Sequence, residues 1–485
     1  MNLRFVSAFF AIVLVALPSS LFAIGGVDTP PPPAAPREIS FTQPRETRLE
    51  NSLRVIVIER PGLPLLAAEI VVRSGAEVDP ADLAGLASMT GSLLTKGTEK
   101  MSAPQIAMAI ESLGGAIDSG AGWDASKASV VVMSDKAEPA LGILSDVVLH
   151  PTFKQEEIDR LKSQTLDGLR VALQQPGSLA RFIVPRVVFG AGVYGHAASG
   201  TMETVQAIGR DEIVKLYKAY YRPENAALVL AGNVTLEQGR KYAEQFFGSW
   251  KAEAPAPPAP AIPAPDDWKP SSIVVDMPEA GQAAVTVAKP AIKRSSPDYY
   301  AGLVANAALG SGFASRLNRE IRIKRGLSYG ASSALEARRD AGGFSASTQT
   351  KNQSAAEVAS LLQSELKRIG TEPVQGDELK SRQALLTGAY SRSLETNGGY
   401  TAKISAYVTQ DLPLDTPNKF IPSINAITAK EVSEFAAKHF ETPSSLVIVG
   451  KAPDFLEALK KDFPELKVIP KAELDLNRAD LVKAK

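Results

Sequence analysis

Residues 208–232 read IGRDEIVKLYKAYYRPENAALVLAG, and residues 427–450 read ITAKEVSEFAAKHFETPSSLVIVG. Each stretch holds a helical segment, a proline (Pro223, Pro443) and an apolar run closed by glycine, LVLAG at 228–232 and LVIVG at 446–450. The helical segments are offset by 219 residues (427 minus 208) and the closing glycines by 218 (450 minus 232), so the copies hold register within one residue. A second pair follows the same spacing, with a helix at 137–149 answered by one at 355–369. Self-similarity at one long offset marks a folding unit used twice. Short β-branched runs mixed with helices in each copy predict an α+β fold. It has two homologous domains, each a mostly antiparallel sheet with helices on one face.

The boundary between the copies lies in residues 251–270, where KAEAPAPPAPAIPAP is a proline and alanine tract unable to sustain a ladder or a regular helix. This linker separates an N-terminal domain at 41–250 from a C-terminal domain at 271–470, with a charged tail at 471–485. The first residues carry Arg4, an apolar run from Phe5 to Leu17 and small residues up to Ala23. That run is shorter than the ~20 residues that span a bilayer, so residues 1–23 read as a cleaved secretory signal. Residues 24–40, with TPPPPAAP inside, read as an extended leader. The expected location is therefore periplasmic or secreted, with no membrane association after cleavage.

Composition narrows the chemistry. Lysine plus arginine and aspartate plus glutamate each number 53, so no net field favours a nucleic acid partner. There is no cysteine, which removes disulfides, thiolate metal sites and thiol nucleophiles together. A metal site would need histidine and carboxylate, and the only histidines are His150, His196 and His439, each alone.

Within the first domain, Leu53–Glu59 and Leu66–Arg73 read as strands broken by Arg60-Pro-Gly-Leu-Pro64. Asp79-Pro80 opens a helical stretch with apolar side chains at Leu83, Leu86, Met89 and Leu93. Ser102-Ala-Pro-Gln105 has capping-box spacing and begins another helix. The stretch GLASMTGSLLTKGT, Gly85–Thr98, sits on the first of these helices.

The run from Leu49 to Thr98 resembles the start of the insulinase/pitrilysin family of zinc peptidases, which includes the mitochondrial processing peptidases and small bacterial homologues. The likeness extends through Leu149-His-Pro-Thr-Phe153, the 156–169 helix, the 195–201 loop and the second domain. The resemblance implies an inverted His-x-x-Glu-His signature, in which two imidazoles one helical turn apart hold zinc and the glutamate activates its water. Here the histidine positions are Ser88 and Ser92, the base position is Gly91, and the later ligand glutamate falls at about Gly168. No zinc is expected in this chain, and no peptide hydrolysis by it alone.

In the second domain, LGSGFASRL at 309–317 followed by REIRIKRGLSY at 319–329 resembles the family segment whose arginine and tyrosine reach the zinc-bound substrate. The pair here is Arg322 and Tyr329, with Arg322 ending a helix that Gly326 stops and Tyr329 opening a strand through Leu335. A guanidinium and a phenol are suited to a substrate carbonyl or oxyanion. The resemblance thus implies a non-catalytic subunit. It would act beside a zinc-bearing homologous partner on an extended peptide. The alternative is a peptide-binding or scaffolding pseudopeptidase. His196, in a glycine-rich segment, is a further candidate ligand contact.

Overall fold

The computed structural model describes residues 40–258 and 268–484. The signal and leader segments up to residue 39, and the middle of the linker at 259–267, lie outside the described residues. No helix among the described residues is long and apolar enough to cross a membrane.

The described residues from 41 onward form one compact unit built on two six-stranded mixed sheets. The first contains β1 (Arg45–Arg48), β2 (Arg54–Glu59), β3 (Leu65–Val72), β4 (Ala116–Ala121), β5 (Ser126–Met133) and β6 (Ala226–Gly232), in the order β1-β2-β6-β3-β5-β4. The second contains β7 (Ser272–Asp276), β8 (Ala283–Ala291), β9 (Ala331–Ala337), β10 (Gly342–Thr350), β11 (Ser445–Gly450) and β12 (Leu466–Pro470), in the order β12-β7-β11-β8-β10-β9. Five strands correspond one to one. In both sheets the strand predicted from the repeat, β6 or β11, pairs parallel with the first repeat strand, β2 or β7, and antiparallel with the next, β3 or β8. The sixth place differs: β1 joins β2 antiparallel as a local hairpin, whereas β12 arrives from the C-terminal end and pairs parallel with β7.

Period-2 alternation explains the packing. In the first sheet, Val55, Val57, Leu66, Ala68, Ile70, Leu228 and Leu230 point toward that domain's own helices. Ile56, Ile58, Val71, Val229 and Ala231 point the other way and are also buried. Covering that second face is the helix Asn397–Thr409 of the C-terminal half, which lies across β3 and β6 and contributes Tyr400, Ile404 and Val408. The arrangement is reciprocal. The helix Pro176–Phe189 of the N-terminal half lies across β8 and β11, packing Leu179, Ile183 and Val187 on Val275, Ala284, Val447 and Val449. Each domain keeps its own helices on one sheet face, as expected, and receives one helix from the other half on the opposite face. Leu474, Leu476 and Leu481 of the segment after Pro470 pack into that second cluster.

The halves also meet at two hairpin tips. The β4–β5 turn presents Trp123 and Asp124, and the β9–β10 turn presents Arg338 and Arg339. Asp124 accepts the Arg339 backbone N–H at 3.1 Å, and Arg339 donates to the Arg73 carbonyl at 3.1 Å and to Glu77 Oε1 at 3.0 Å. The Arg338 guanidinium lies over Trp123 at 4.3 Å, Tyr194 at 5.0 Å and Phe189 at 5.2 Å, a cation held between three rings.

Candidate functional site

The helix carrying the suspected motif runs Leu86–Leu93. It begins six residues later than Asp79-Pro80 suggests, because residues 80–85 turn back and bring the Asp79 carboxylate over the helix start. There it accepts from Gly85 N and Ala87 N, both at 2.8 Å, as an N-terminal acceptor should. Burial pushes the Asp79 carboxyl up, while the nearby His196 imidazole and the hydrogen bonds from these two amides oppose the shift. Gly85 adopts φ 95° and Gly200 φ 80°, and a Cβ on Gly85 would lie 2.9 Å from Gly200 Cα. The two glycines let the 195–201 loop dock backbone to backbone on the helix start, secured by Thr204 Oγ1 donating to the Ala84 carbonyl at 2.8 Å.

Ser88 and Ser92 are half-buried on this helix. Gly91 is buried against strand β4, where a Cβ would sit 2.6 Å from the Gly120 carbonyl carbon and 2.9 Å from Ala121 N. The position that would hold a general base is therefore filled by the neighbouring backbone. Gly168 is exposed on the helix Gln155–Ala172 with open space around it, and adjacent Asp167 pairs with Arg170 at 2.5 Å. Two serines and two glycines supply no donor set for zinc, and the described residues contain no group of three histidine or acidic side chains able to hold a metal. The residues present do not fit the metal that the fold carries in active enzymes.

The three histidines are apart. His150 pairs with Asp146 and His439 with Asp298, each at 3.3 Å, at helix ends. His196 is buried edge-on against Trp123, with Nε2 3.8 Å from Asp79 Oδ2. It thus stands behind the helix start.

Arg322 lies in Asn318–Lys324, a π-type helical turn rather than the α-helix its sequence suggests. Such turns are rare and frequently occur at functional sites. Glu320 anchors the turn, receiving Lys324 Nζ at 2.8 Å and Arg325 Nη2 at 2.9 Å, and these bonds hold its carboxyl below the usual range. Gly326, at φ 62°, ends the segment as expected. The strand that follows is Ala331–Ala337, so Tyr329 precedes it and is free of its ladder. Arg322 is exposed and stacks over exposed Phe313 at 4.8 Å. Tyr329 is 91% exposed and lines a 330 Å³ groove with Ser332, Ser347 and Gln349. No hydrogen bond links Arg322 to Tyr329 among the described residues; both face outward. The Phe313 platform was missed in the sequence, where its only signal is an aromatic between glycine and arginine in GSGFASR.

Fold and site together define a two-domain peptidase scaffold whose metal helix carries no metal ligands. Comparison with known proteins agrees. The family description "Insulinase (Peptidase family M16)" matches residues 54–184, and "Peptidase M16 inactive domain" matches residues 207–386. The chain belongs to peptidase family M16, the insulinase family, as a degenerate, zinc-free member. It is similar to an uncharacterized zinc protease, YmxG, of Bacillus subtilis, with 22% identity over 83% of this chain and 97% of that one. It is also similar to a protein described as non-peptidase homolog YmxG of Helicobacter pylori, with 23% identity over 81% of this chain and 90% of that one. Among solved structures, a peptidase M16 inactive domain from Pseudomonas fluorescens superposes with TM-score 0.78 and 27% identity, covering 84% of this chain and 98% of the other. A protease from Helicobacter pylori shares the fold with TM-score 0.80 at 17% identity, over 85% of this chain and all of that one.

Proposed function

We propose that this chain is the non-catalytic subunit of a heterodimeric zinc peptidase, exported to the periplasm or medium, whose homologous partner carries the zinc. Arg322 and Tyr329 then act in trans on a peptide held at the partner's metal. The observation that carries this reading is the contrast between two places in one chain: the Leu86–Leu93 helix is sealed at Gly91, while Arg322 and Tyr329 stand exposed. A guanidinium held over an aromatic ring and a free phenol can each donate to a carbonyl or to the oxyanion that forms as water attacks. The unpaired outer edges of β4 and β9 offer backbone donors and acceptors to an extended peptide by strand addition.

Purification of the chain with a homologue bearing an intact His-x-x-Glu-His tests the proposal. Peptide cleavage should require both chains. Arg322→Ala or Tyr329→Phe should lower kcat/KM of the pair by roughly 10²-fold or more, the range expected for loss of an oxyanion donor. Full activity of the partner alone, or of a complex carrying both substitutions, would refute the assigned role. A peptide-binding or scaffolding pseudopeptidase is the second reading, favoured by the description of the Helicobacter pylori relative as a non-peptidase homolog. It predicts peptide binding with no cleavage under any pairing.

A further inference from the structure

The sheet face covered by the exchanged helix Asn397–Thr409 carries one residue out of keeping with its neighbours. Along β3, Ala67 and Val71 point toward that helix, and Glu69 points with them. Glu69 is 4% exposed, makes no ion pair within 4 Å among the described residues, and has Ser405 as its nearest polar neighbour. Its place in the duplicated fold is fixed by register: Glu69 opposes Val229 on β6 and Ser129 on β5, as Thr286 opposes Val447 on β11 and Ser347 on β10. The second copy thus carries a neutral hydroxyl where the first carries an acid, so the architecture does not require the charge.

Glu69 borders a 270 Å³ cavity between β3, β5 and the exchanged helix, whose polar lining includes Lys127, Ser405, Thr409 and Gln410. Burial pushes the Glu69 carboxyl up, with Ser405 and Lys127 opposing. The Ser405 Oγ is itself buried without a hydrogen-bond partner among the described residues. Asp124 also lines the cavity, but its oxygens are engaged by Tyr194 Oη at 2.5 Å and by Arg339 N at 3.1 Å. Lys127, diagonal to Glu69 across the β3–β5 ladder, is exposed and makes no ion pair with it. A buried carboxylate whose nearest cation, Lys127, stays in solvent without contacting it gains by pairing directly with a cation that enters the cavity.

We propose that this cavity binds a primary ammonium group, its three N–H donors directed to the Glu69 carboxylate, Ser405 Oγ and the Gln410 side-chain carbonyl. The described residues supply too few acids or histidines for a metal there, whereas an ammonium matches one carboxylate and two neutral acceptors. The bearer is either a small amine or the amino terminus of a peptide, and the site is independent of the role assigned to Arg322 and Tyr329.

The test is calorimetric titration of the full chain with butylamine, with alanyl-alanine amide and with its N-acetylated form. Saturable binding of one or both free amines, and none of the acetylated compound, is expected. Preference for the dipeptide amide identifies a peptide terminus, and equal binding identifies a small amine. Glu69→Gln should weaken binding at least tenfold. Ala402→Phe, which fills the cavity from the exposed side of the helix and leaves the Glu69 carboxylate in place, should abolish it. Lys127→Gln should preserve or tighten it by removing the competing cation. No saturable binding to the wild-type chain, equal binding of the acetylated compound, unchanged affinity in Glu69→Gln or Ala402→Phe, or loss of binding in Lys127→Gln would each overturn the assignment.

Discussion

A side chain at position 91 has nowhere to go: its first carbon would lie 2.6 Å from the backbone of Gly120. Gly91→Ala is therefore expected to cost about 1–3 kcal/mol of stability, as overpacking does in tight interiors, measurable as a lowered denaturation midpoint. Restoring the family signature with Ser88→His, Gly91→Glu and Ser92→His should for the same reason yield no stoichiometric zinc by elemental analysis. Arg322 and Tyr329 give the opposite expectation. Exposed and outside the core, they should tolerate Arg322→Ala and Tyr329→Phe within about 0.5 kcal/mol, so that any loss of activity in a complex is separable from loss of fold by thermal melting.

At the scale of elements, the contact of the β9–β10 hairpin tip with Glu77 makes one contribution to how stability responds to pH. Glu77 accepts from Gly75 N at 2.7 Å and from Arg339 at 3.0 Å, yet burial outweighs both and raises its carboxyl to about 7. Burial disfavours the Arg339 charge, but Asp340, Glu77 and Asp124 outweigh it and push the guanidinium up, so it stays charged throughout this range. The burial of Glu77 therefore sets the sign. A folded state that holds this proton more tightly than the unfolded chain is favoured at low pH and loses that advantage as pH rises from about 4.5 to about 7. The melting temperature should fall across this window, and Glu77→Gln should flatten the fall.

Elements are also the scale at which the sequence is most legible. The strands Arg54–Glu59, Leu65–Val72 and Ala226–Gly232, and the Ser102-capped helix, lie within a few residues of where periodicity puts them, since each carries its own alternation or cap. Features set by particular side-chain contacts or by a distant strand are not legible in that way. The delayed start of the Leu86–Leu93 helix depends on Asp79 folding back, the π-type turn at Asn318–Lys324 on its anchor at Glu320, and the filled space at Gly91 on a strand 29 residues away in sequence (120 minus 91). The family resemblance places the degenerate positions at Ser88, Gly91, Ser92 and Gly168, and the closeness of β4 to the helix adds at Gly91 a steric reason that no local pattern contains.

For the whole molecule, the exchange of the helices Pro176–Phe189 and Asn397–Thr409 makes each half incomplete. Residues 41–258 expressed alone would expose the face bearing Ile56, Ile58, Val71 and Val229 and should aggregate. Residues 41–258 and 268–485 produced together as separate chains should assemble into a soluble 1:1 complex, measured by light scattering. The same exchange bears on how such a chain could arise. A progenitor with a single copy of the repeat could cover both faces of its sheet only by lending its helix to a second molecule and borrowing one in return. Its smallest stable form would be a symmetric pair, and the proline-rich tether between today's halves would be the join that made two ancestral polypeptides one.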